Sequence, residues 1–127
     1  MKLLKLAAFA AVILLAGCAT TSQPPVLAAQ VKKACAVAQP TVASLQALSA
    51  DMTNTQQADL GQASFVIDHV CTATVPALPQ NLTQFVQTAF PLVIKIVAGS
   101  SLDQQTKRTT VIALTVAQAA VSAAMAQ

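Results

Sequence analysis

The chain is short, apolar and sparsely charged. It has 127 residues, 55% of them hydrophobic and 9% charged, with a formal net charge of +3, whereas an ordinary soluble domain carries about 25% charged residues. This length accommodates a single domain. The few basic and aromatic residues exclude nucleic-acid binding of the usual kind, which needs a basic stripe and often stacking aromatic side chains.

The first 17 residues are organised like the signal peptide of an exported protein. Lys2 and Lys5 precede an unbroken apolar run, AAFAAVILL, at residues 7–15, and small residues follow it. A basic start, a short apolar segment and small residues at its end are typical of a secretory signal. The run is too short for a membrane-spanning helix, which needs about 20 apolar residues. We therefore predict a signal peptide over residues 1–17.

The end of this segment carries a sharper motif. Leu15-Ala16-Gly17-Cys18 resembles the lipobox of bacterial lipoproteins at all four positions. The resemblance implies cleavage before Cys18, transfer of diacylglycerol to its thiol, and often acylation of the new amino group, for example by palmitate. Two or three acyl chains hold a protein stably on a membrane, because each buried methylene contributes about 0.8 kcal/mol. The alternative is an ordinary signal peptide beside a chance cysteine.

The residues after Cys18 bear on location. In Gram-negative lipoproteins, an Asp directly after the lipid-bearing cysteine resembles an inner-membrane retention signal, so Ala19 implies the outer membrane. Residues 18–25 are predicted to form a lipidated tether, since Ser, Thr, Gln and two prolines favour extended chain. The sequence thus predicts a domain over residues 26–127 that is lipid-anchored to the outer membrane on its periplasmic side.

This domain is rich in Ala, Gln, Leu and Val, which favours helix. We predict an all-α bundle of four helices over residues 26–49, 56–74, 82–98 and 102–125. In the first three, apolar residues recur at steps of three and four, which marks a buried face. These predicted faces comprise Leu27, Val31, Ala34, Cys35, Ala38, Val42, Leu45 and Leu48; Leu60, Ala63, Ile67, Val70, Cys71 and Thr74; and Phe85, Val86, Ala89, Phe90, Val93, Ile96 and Val97.

Local signals predict where the helices bend and end. Proline removes a helical hydrogen bond and clashes with the preceding turn, so we expect kinks at Pro40 and Pro91, with two short helices as the alternative at Pro40. Residues 51–55 read as a turn with N-cap candidates. Asn81 and Ser101 are expected to cap the last two helices. Gly99 is expected to adopt left-handed backbone after the third.

The third and fourth helices also raise the question of membrane spans. Lys95 and several Gln side chains interrupt the third helix. The fourth is rich in alanine and contains Thr115, Gln118 and Ser122. Both fall short of about 20 strongly apolar residues, so we interpret them as buried helices of the bundle.

Two cysteines remain once Cys18 is assigned to lipid. Cys35 and Cys71 each lie 18 residues from position 53, the middle of the predicted turn, and both lie on apolar faces. In an antiparallel hairpin, residues equally far from the turn lie side by side, here about 27 Å along each helix. An exported domain also meets an oxidising compartment. We predict a Cys35–Cys71 disulfide, the alternative being two free core thiols.

The inventory for catalysis or metal binding is small. His69, the single histidine, lies beside Asp68 and two residues before Cys71. Two residues on a helix that are two positions apart differ by about 200° around its axis, so His69 and Cys71 cannot converge on one ion. There is no G-x-S-x-G motif and no phosphate loop, and the four Asp are scattered. We predict no catalytic residue, no metal site and no cofactor, and therefore a protein that is not an enzyme.

The sequence predicts a non-enzymatic envelope structural or interaction protein. Its expected partners are the membrane, through the lipid anchor, and another envelope protein. One alternative is a module that binds lipid or peptide in an apolar groove between helices kinked at Pro40 and Pro91. Another is a lysis or exclusion factor, since the chain loosely resembles small prophage lipoproteins. The basic pairs Lys32-Lys33 and Lys107-Arg108 are interpreted as solvated helix faces, with contact to anionic lipid or peptidoglycan as the alternative.

Overall fold

Four helices form the described part of the chain, which comprises residues 23–73 and 77–127 of a computed structural model. The predicted all-α bundle of four helices is confirmed. A single turn of 3-10 helix, Ser49–Asp51, follows the first helix. The helices are α1, Gln23–Ala47; α2, Asn54–Cys71; α3, Pro79–Gly99; and α4, Gln104–Met125.

Successive helices run antiparallel, and α1 packs most extensively against α4. Helices in this order leave two ends, which we call proximal and distal. The proximal end is where α1 and α3 begin and where α2 and α4 end. The distal end holds the turn between α1 and α2 and the connection between α3 and α4. Cross-helix contacts fix the register at Cys35–Cys71, Gln46–Ser64, Asp59–Lys95 and Val86–Gln118.

The core is built from the apolar faces that the sequence predicts. Nearly all of those residues are buried; Leu27, Val31, Leu48 and Cys71 are half-buried, and Thr74 lies outside the described residues. Phe85 and Phe90 form an edge-to-face pair with ring centroids 4.9 Å apart, a favoured aromatic geometry. Burying each large side chain contributes roughly 1.5–3 kcal/mol. The fully buried large side chains are Phe85, Phe90, Leu45, Ile67, Ile96, Leu114, Val93, Val97 and Val121.

Helix α1 is longer and more continuous than predicted. It begins at Gln23 rather than at residue 26, so the last three residues of the predicted tether are helical. Proline is tolerated in the first turn, where the backbone N–H has no helical partner. Pro40 also lies within the helix without dividing it, so the alternative of two short helices is wrong. Pro40 has no N–H to donate to the carbonyl of Ala36, four residues earlier. Both residues are exposed, so water can bond to that carbonyl.

Helix α3 accommodates Pro91 through a wider turn. Residues Phe85–Ala89 are π-helical, and the N–H of Phe90 donates to the carbonyl of Phe85, five residues back. In that register the missing N–H of Pro91 would have served the carbonyl of Val86. Instead, the side-chain Nε2 of Gln118 on α4 donates to the Val86 oxygen at 2.8 Å. The neighbouring helix therefore satisfies the acceptor that the proline leaves unpaired.

Side chains cap the starts of two helices. Thr53 and Gln56 form a capping box at α2: the Gln56 N–H donates to Thr53 Oγ1 at 3.2 Å, and the Thr53 N–H donates to Gln56 Oε1 at 3.0 Å. At α4 the Thr106 N–H donates to Asp103 Oδ1 at 2.9 Å. Hydrogen bonds from the hydroxyl and then the N–H of Thr106 hold the pKa of the Asp103 carboxyl below its usual value.

Three local predictions at helix ends are wrong. Asp103, not Ser101, caps α4, because its carboxylate meets the free N–H of Thr106. Helix α3 begins at Pro79, before Asn81, since proline is well suited to a first helical position. Gly99 is the last helical residue of α3, and among the described glycines none has a positive φ. The chain leaves this helix through extended backbone at Ser100 instead.

Helices α3 and α4 differ in how they use their apolar surface. By length and composition alone, both are long and apolar enough to cross a membrane. In α3, 44% of the most apolar stretch is buried inside the bundle, as in a core helix. In α4 the fraction is only 17%, because one narrow stripe, Leu114, Ala117, Val121 and Ala124, faces the core. The prediction of two buried helices therefore fits α3 better than α4.

Candidate functional site

The predicted lipidation residue, Cys18, lies outside the described residues. The described chain starts at Gln23, the first residue of α1, so only residues 19–22 separate it from Cys18. Lipidation at Cys18 remains a prediction from the sequence motif.

The predicted disulfide is present. Cys35 on α1 and Cys71 on α2 are bonded, with their Cα atoms 5.6 Å apart and a sequence separation of 36. The turn near position 53 therefore brings the two helices into the register that the equal spacing predicts. Gln46 Nε2 donates to Ser64 Oγ at 3.0 Å in the same hairpin, which gives the interface a second, polar fixed point.

The disulfide also removes Cys71 as a possible metal ligand beside His69. With its sulfur bonded to Cys35, Cys71 offers no thiolate to a metal. His69 and Asp68 are both exposed on the outside of α2, and the His69 ring stacks on Phe65 with centroids 6.2 Å apart. Across residues 23–73 and 77–127, no group of three or more His, Cys, Asp or Glu side chains is placed to hold a metal ion.

The charged side chains lie mostly on the solvated surface. Lys32 and Lys33 are exposed on α1, and Arg108 is exposed near the start of α4. Lys95 Nζ and Asp59 Oδ2 form an ion pair of 3.3 Å between α3 and α2, with the lysine side chain 70% exposed. An exposed pair of this kind contributes at most about 1 kcal/mol. The pair therefore shows how α2 and α3 are aligned, but it contributes little to the stability of the fold.

The surface near Pro40 is a shallow, hydroxyl-rich depression. It has a volume of about 220 Å³ and is open to solvent. Pro91 lies on another helix and is exposed, while Phe85 and Phe90 fill the core beside it. The two prolines thus do not border one shared apolar groove. Besides Pro40, the depression is lined by Thr41, Ser44, Leu45, Leu102, Thr106 and Thr110.

Several large apolar side chains are exposed that the sequence patterns did not single out. Phe65 is 73% exposed, Leu78 is 64% exposed, and Ile112 and Val116 are each 63% exposed. Ile112 and Val116 are four residues apart and therefore adjacent on the outside of α4. Their spacing relative to Leu114 and Val121 places them off the buried stripe of α4. Helical periodicity in the sequence could therefore have predicted that they are exposed.

Comparison with protein-family models, curated proteins and solved structures finds no match for this chain. Function is therefore inferred from two sources. One is the motif at residues 15–18, and the other is the arrangement of the described side chains.

Proposed function

We propose that this chain is a small lipoprotein of the bacterial outer membrane, anchored through Cys18 and facing the periplasm. The observation that carries the proposal is the Leu15-Ala16-Gly17-Cys18 motif at the end of a basic and apolar leader. The Cys35–Cys71 disulfide supports it, because such bonds persist in exported proteins. That bond also uses two of the three cysteines in the sequence, and the third is the one that the motif assigns to lipid.

Within that location we propose a structural or interaction role without catalysis. His69 and Asp68 are exposed on α2, whereas a general base or nucleophile is expected to lie in a cleft. The exposed Ile112 and Val116 on α4 suit a protein that contacts another envelope component. The partner is a second envelope protein or the membrane itself.

Substitution of the lipid-bearing cysteine tests the anchor. Cells that express the Cys18→Ser variant are expected to accumulate an uncut precursor that takes up no labelled palmitate, because the thiol that accepts diacylglycerol is gone. The matched control is the double variant Cys35→Ser/Cys71→Ser, which removes the other two cysteines and keeps Cys18. It should still be cleaved and labelled. Equal palmitate incorporation in the Cys18→Ser variant and the wild type would refute the lipoprotein assignment.

A further inference from the structure

We propose that the proximal end of the bundle rests on the lipid surface, so that the helices stand upright on the membrane rather than lying along it. This inference rests on the proposed lipid anchor and adds an orientation and a contact surface to it. The contact surface consists of the first turns of α1, Ala77 and Leu78 before α3, and the last turn of α4.

The register of the helices shows what lies at this end. Cys71 is the last residue of α2 and is bonded to Cys35, which is twelve residues inside α1. At 1.5 Å per residue, the start of α1 therefore extends about 18 Å beyond the end of α2. The space beside it is occupied by the chain entering α3 and by the end of α4, since half-buried Leu27, Val31, Ala77 and Met125 all pack against the core.

The part of the proximal end that extends beyond α2 carries no charged side chain along its described segments, whereas Asp68 and His69 are exposed in the last turn of α2 itself. At this end, residues 26–31, 77–83 and 119–127 contain no Asp, Glu, Lys, Arg or His. Leu78, at the start of α3, is 64% exposed there, and Val26 on α1 is 37% exposed. By contrast, six charged residues cluster toward the distal end. They are Asp51, Asp59, Lys95, Asp103, Lys107 and Arg108.

The length of the tether selects the occupant of this surface. Only residues 19–22 lie between Cys18 and α1, and four residues span at most about 14 Å when fully extended. Helix α4 is about 33 Å long, more than twice the reach of the tether. The anchor therefore cannot hold the bundle upside down, with its distal end on the bilayer. The lipid surface is therefore the nearest large apolar partner for Val26 and Leu78.

Lys32 and Lys33 are the charged side chains of α1 that lie nearest to this end. Both are exposed and lie about 14 Å from the start of α1 along its axis. Long lysine side chains keep their charge in water while their methylene stems lie along apolar surface. In the upright orientation they lie about 14 Å above the lipid surface, beyond about one Debye length at physiological salt, so they add at most a weak attraction to anionic lipids.

Tryptophan probes test the orientation, since the chain has no tryptophan of its own. Full-length protein with a single Leu78→Trp or Ile112→Trp substitution is purified with its lipid and placed in phosphatidylethanolamine–phosphatidylglycerol vesicles, with and without bromine on the acyl chains. The two sites have nearly equal exposure, 64% and 63%, but only Leu78 lies at the proximal end. Val26→Trp provides a second, independent probe of that end.

Each outcome decides a different claim. In the upright orientation, bromine lowers the fluorescence of Leu78→Trp and Val26→Trp roughly twofold, because tryptophan settles at headgroup level close to the acyl chains, and it leaves Ile112→Trp unchanged. Vesicle-bound protein in which Ile112→Trp is quenched as strongly, or in which no probe is quenched, overturns the orientation and leaves the anchor standing. Protein that does not float with the vesicles overturns the anchor itself, and the orientation with it.

Discussion

At the scale of single residues, Gly61 lowers the free energy of unfolding relative to alanine at the same position. It lies on the exposed side of α2, well inside the helix, and a Cβ atom built there meets nothing within 4 Å. Glycine inside a helix costs roughly 0.5–1 kcal/mol relative to alanine, because it gives up more backbone freedom on folding. We expect Gly61→Ala to raise the free energy of unfolding by that amount in urea titrations followed by circular dichroism.

The matched control is Gly99→Ala at the end of α3. There the new Cβ would lie 3.2 Å from Nε2 of Gln56, so the glutamine that caps α2 must shift. Gly99 is also the last helical residue, where helix propensity counts for less. Its gain should be clearly smaller than that of Gly61→Ala. An equal gain at both sites would mean that the space around the Cβ is irrelevant.

At the scale of elements, the π-helical turn of α3 depends on a contact from α4. Gln118→Leu keeps the size of the side chain but removes the donor to the Val86 carbonyl, which is part-buried. Leaving such an acceptor unsatisfied costs about 1–3 kcal/mol. We expect a loss of that order in the free energy of unfolding, whereas Gln105→Leu, at an exposed position near the start of the same helix, should change it little.

A double-mutant cycle separates this explanation from simple packing. Pro91→Ala restores a backbone N–H close to the carbonyls that the proline leaves unpaired. If Gln118 acts as the substitute donor, then Gln118→Leu should cost distinctly less in the Pro91→Ala background than in the wild type. An unchanged cost in the two backgrounds would show that Gln118 stabilises the helix pair by other contacts.

The Cys35–Cys71 disulfide is the main covalent constraint on the hairpin of α1 and α2. It closes a loop of 36 residues, which in the chain-entropy model stabilises the folded state by about 4 kcal/mol. Protein that starts at Ala19 should therefore show no titratable thiol when oxidised. Reduction should lower its melting temperature yet keep most of its helical signal, because the apolar faces remain. The Cys35→Ala/Cys71→Ala variant should not respond to reductant.

Sequence reasoning recovered the parts of the fold that depend on spacing along the chain. The number of helices, the buried faces of α1, α2 and α3, and the disulfide all follow from residue periodicity and from equal distances to one turn. Helix ends were less predictable, because Asp103 and Ser101 are both good caps and only the folded backbone selects between them. The π-helical turn was missed, because the partner of its unpaired carbonyl, Gln118, lies on another helix.

At the scale of the whole molecule, charge and apolar surface vary along the bundle axis. Six of the nine charged side chains in the described residues lie toward the distal end, whereas α4 carries none after Arg108. This polarity is invisible in the composition, which reports only an apolar chain. It emerges from the helix register, and the register depends on contacts such as Asp59–Lys95 and Val86–Gln118. The candidate lipidation site was predicted from a local motif, but the surface beside it required the fold.

The destination of the whole molecule is expected to depend on Ala19. In the proposed mature protein this residue directly follows the lipid-bearing Cys18. The wild type should therefore fractionate with the outer membrane of a Gram-negative host. An Ala19→Asp variant should shift to the inner membrane, because Asp at this place resembles a retention signal. The matched control is Ala19→Ser, which keeps a small uncharged side chain and should stay with the outer membrane. Since residues 19–22 precede α1, all three proteins should have the same melting temperature, so a changed location cannot be ascribed to misfolding. Wild-type protein found only in the inner membrane would refute the sorting argument and leave the lipid anchor itself intact.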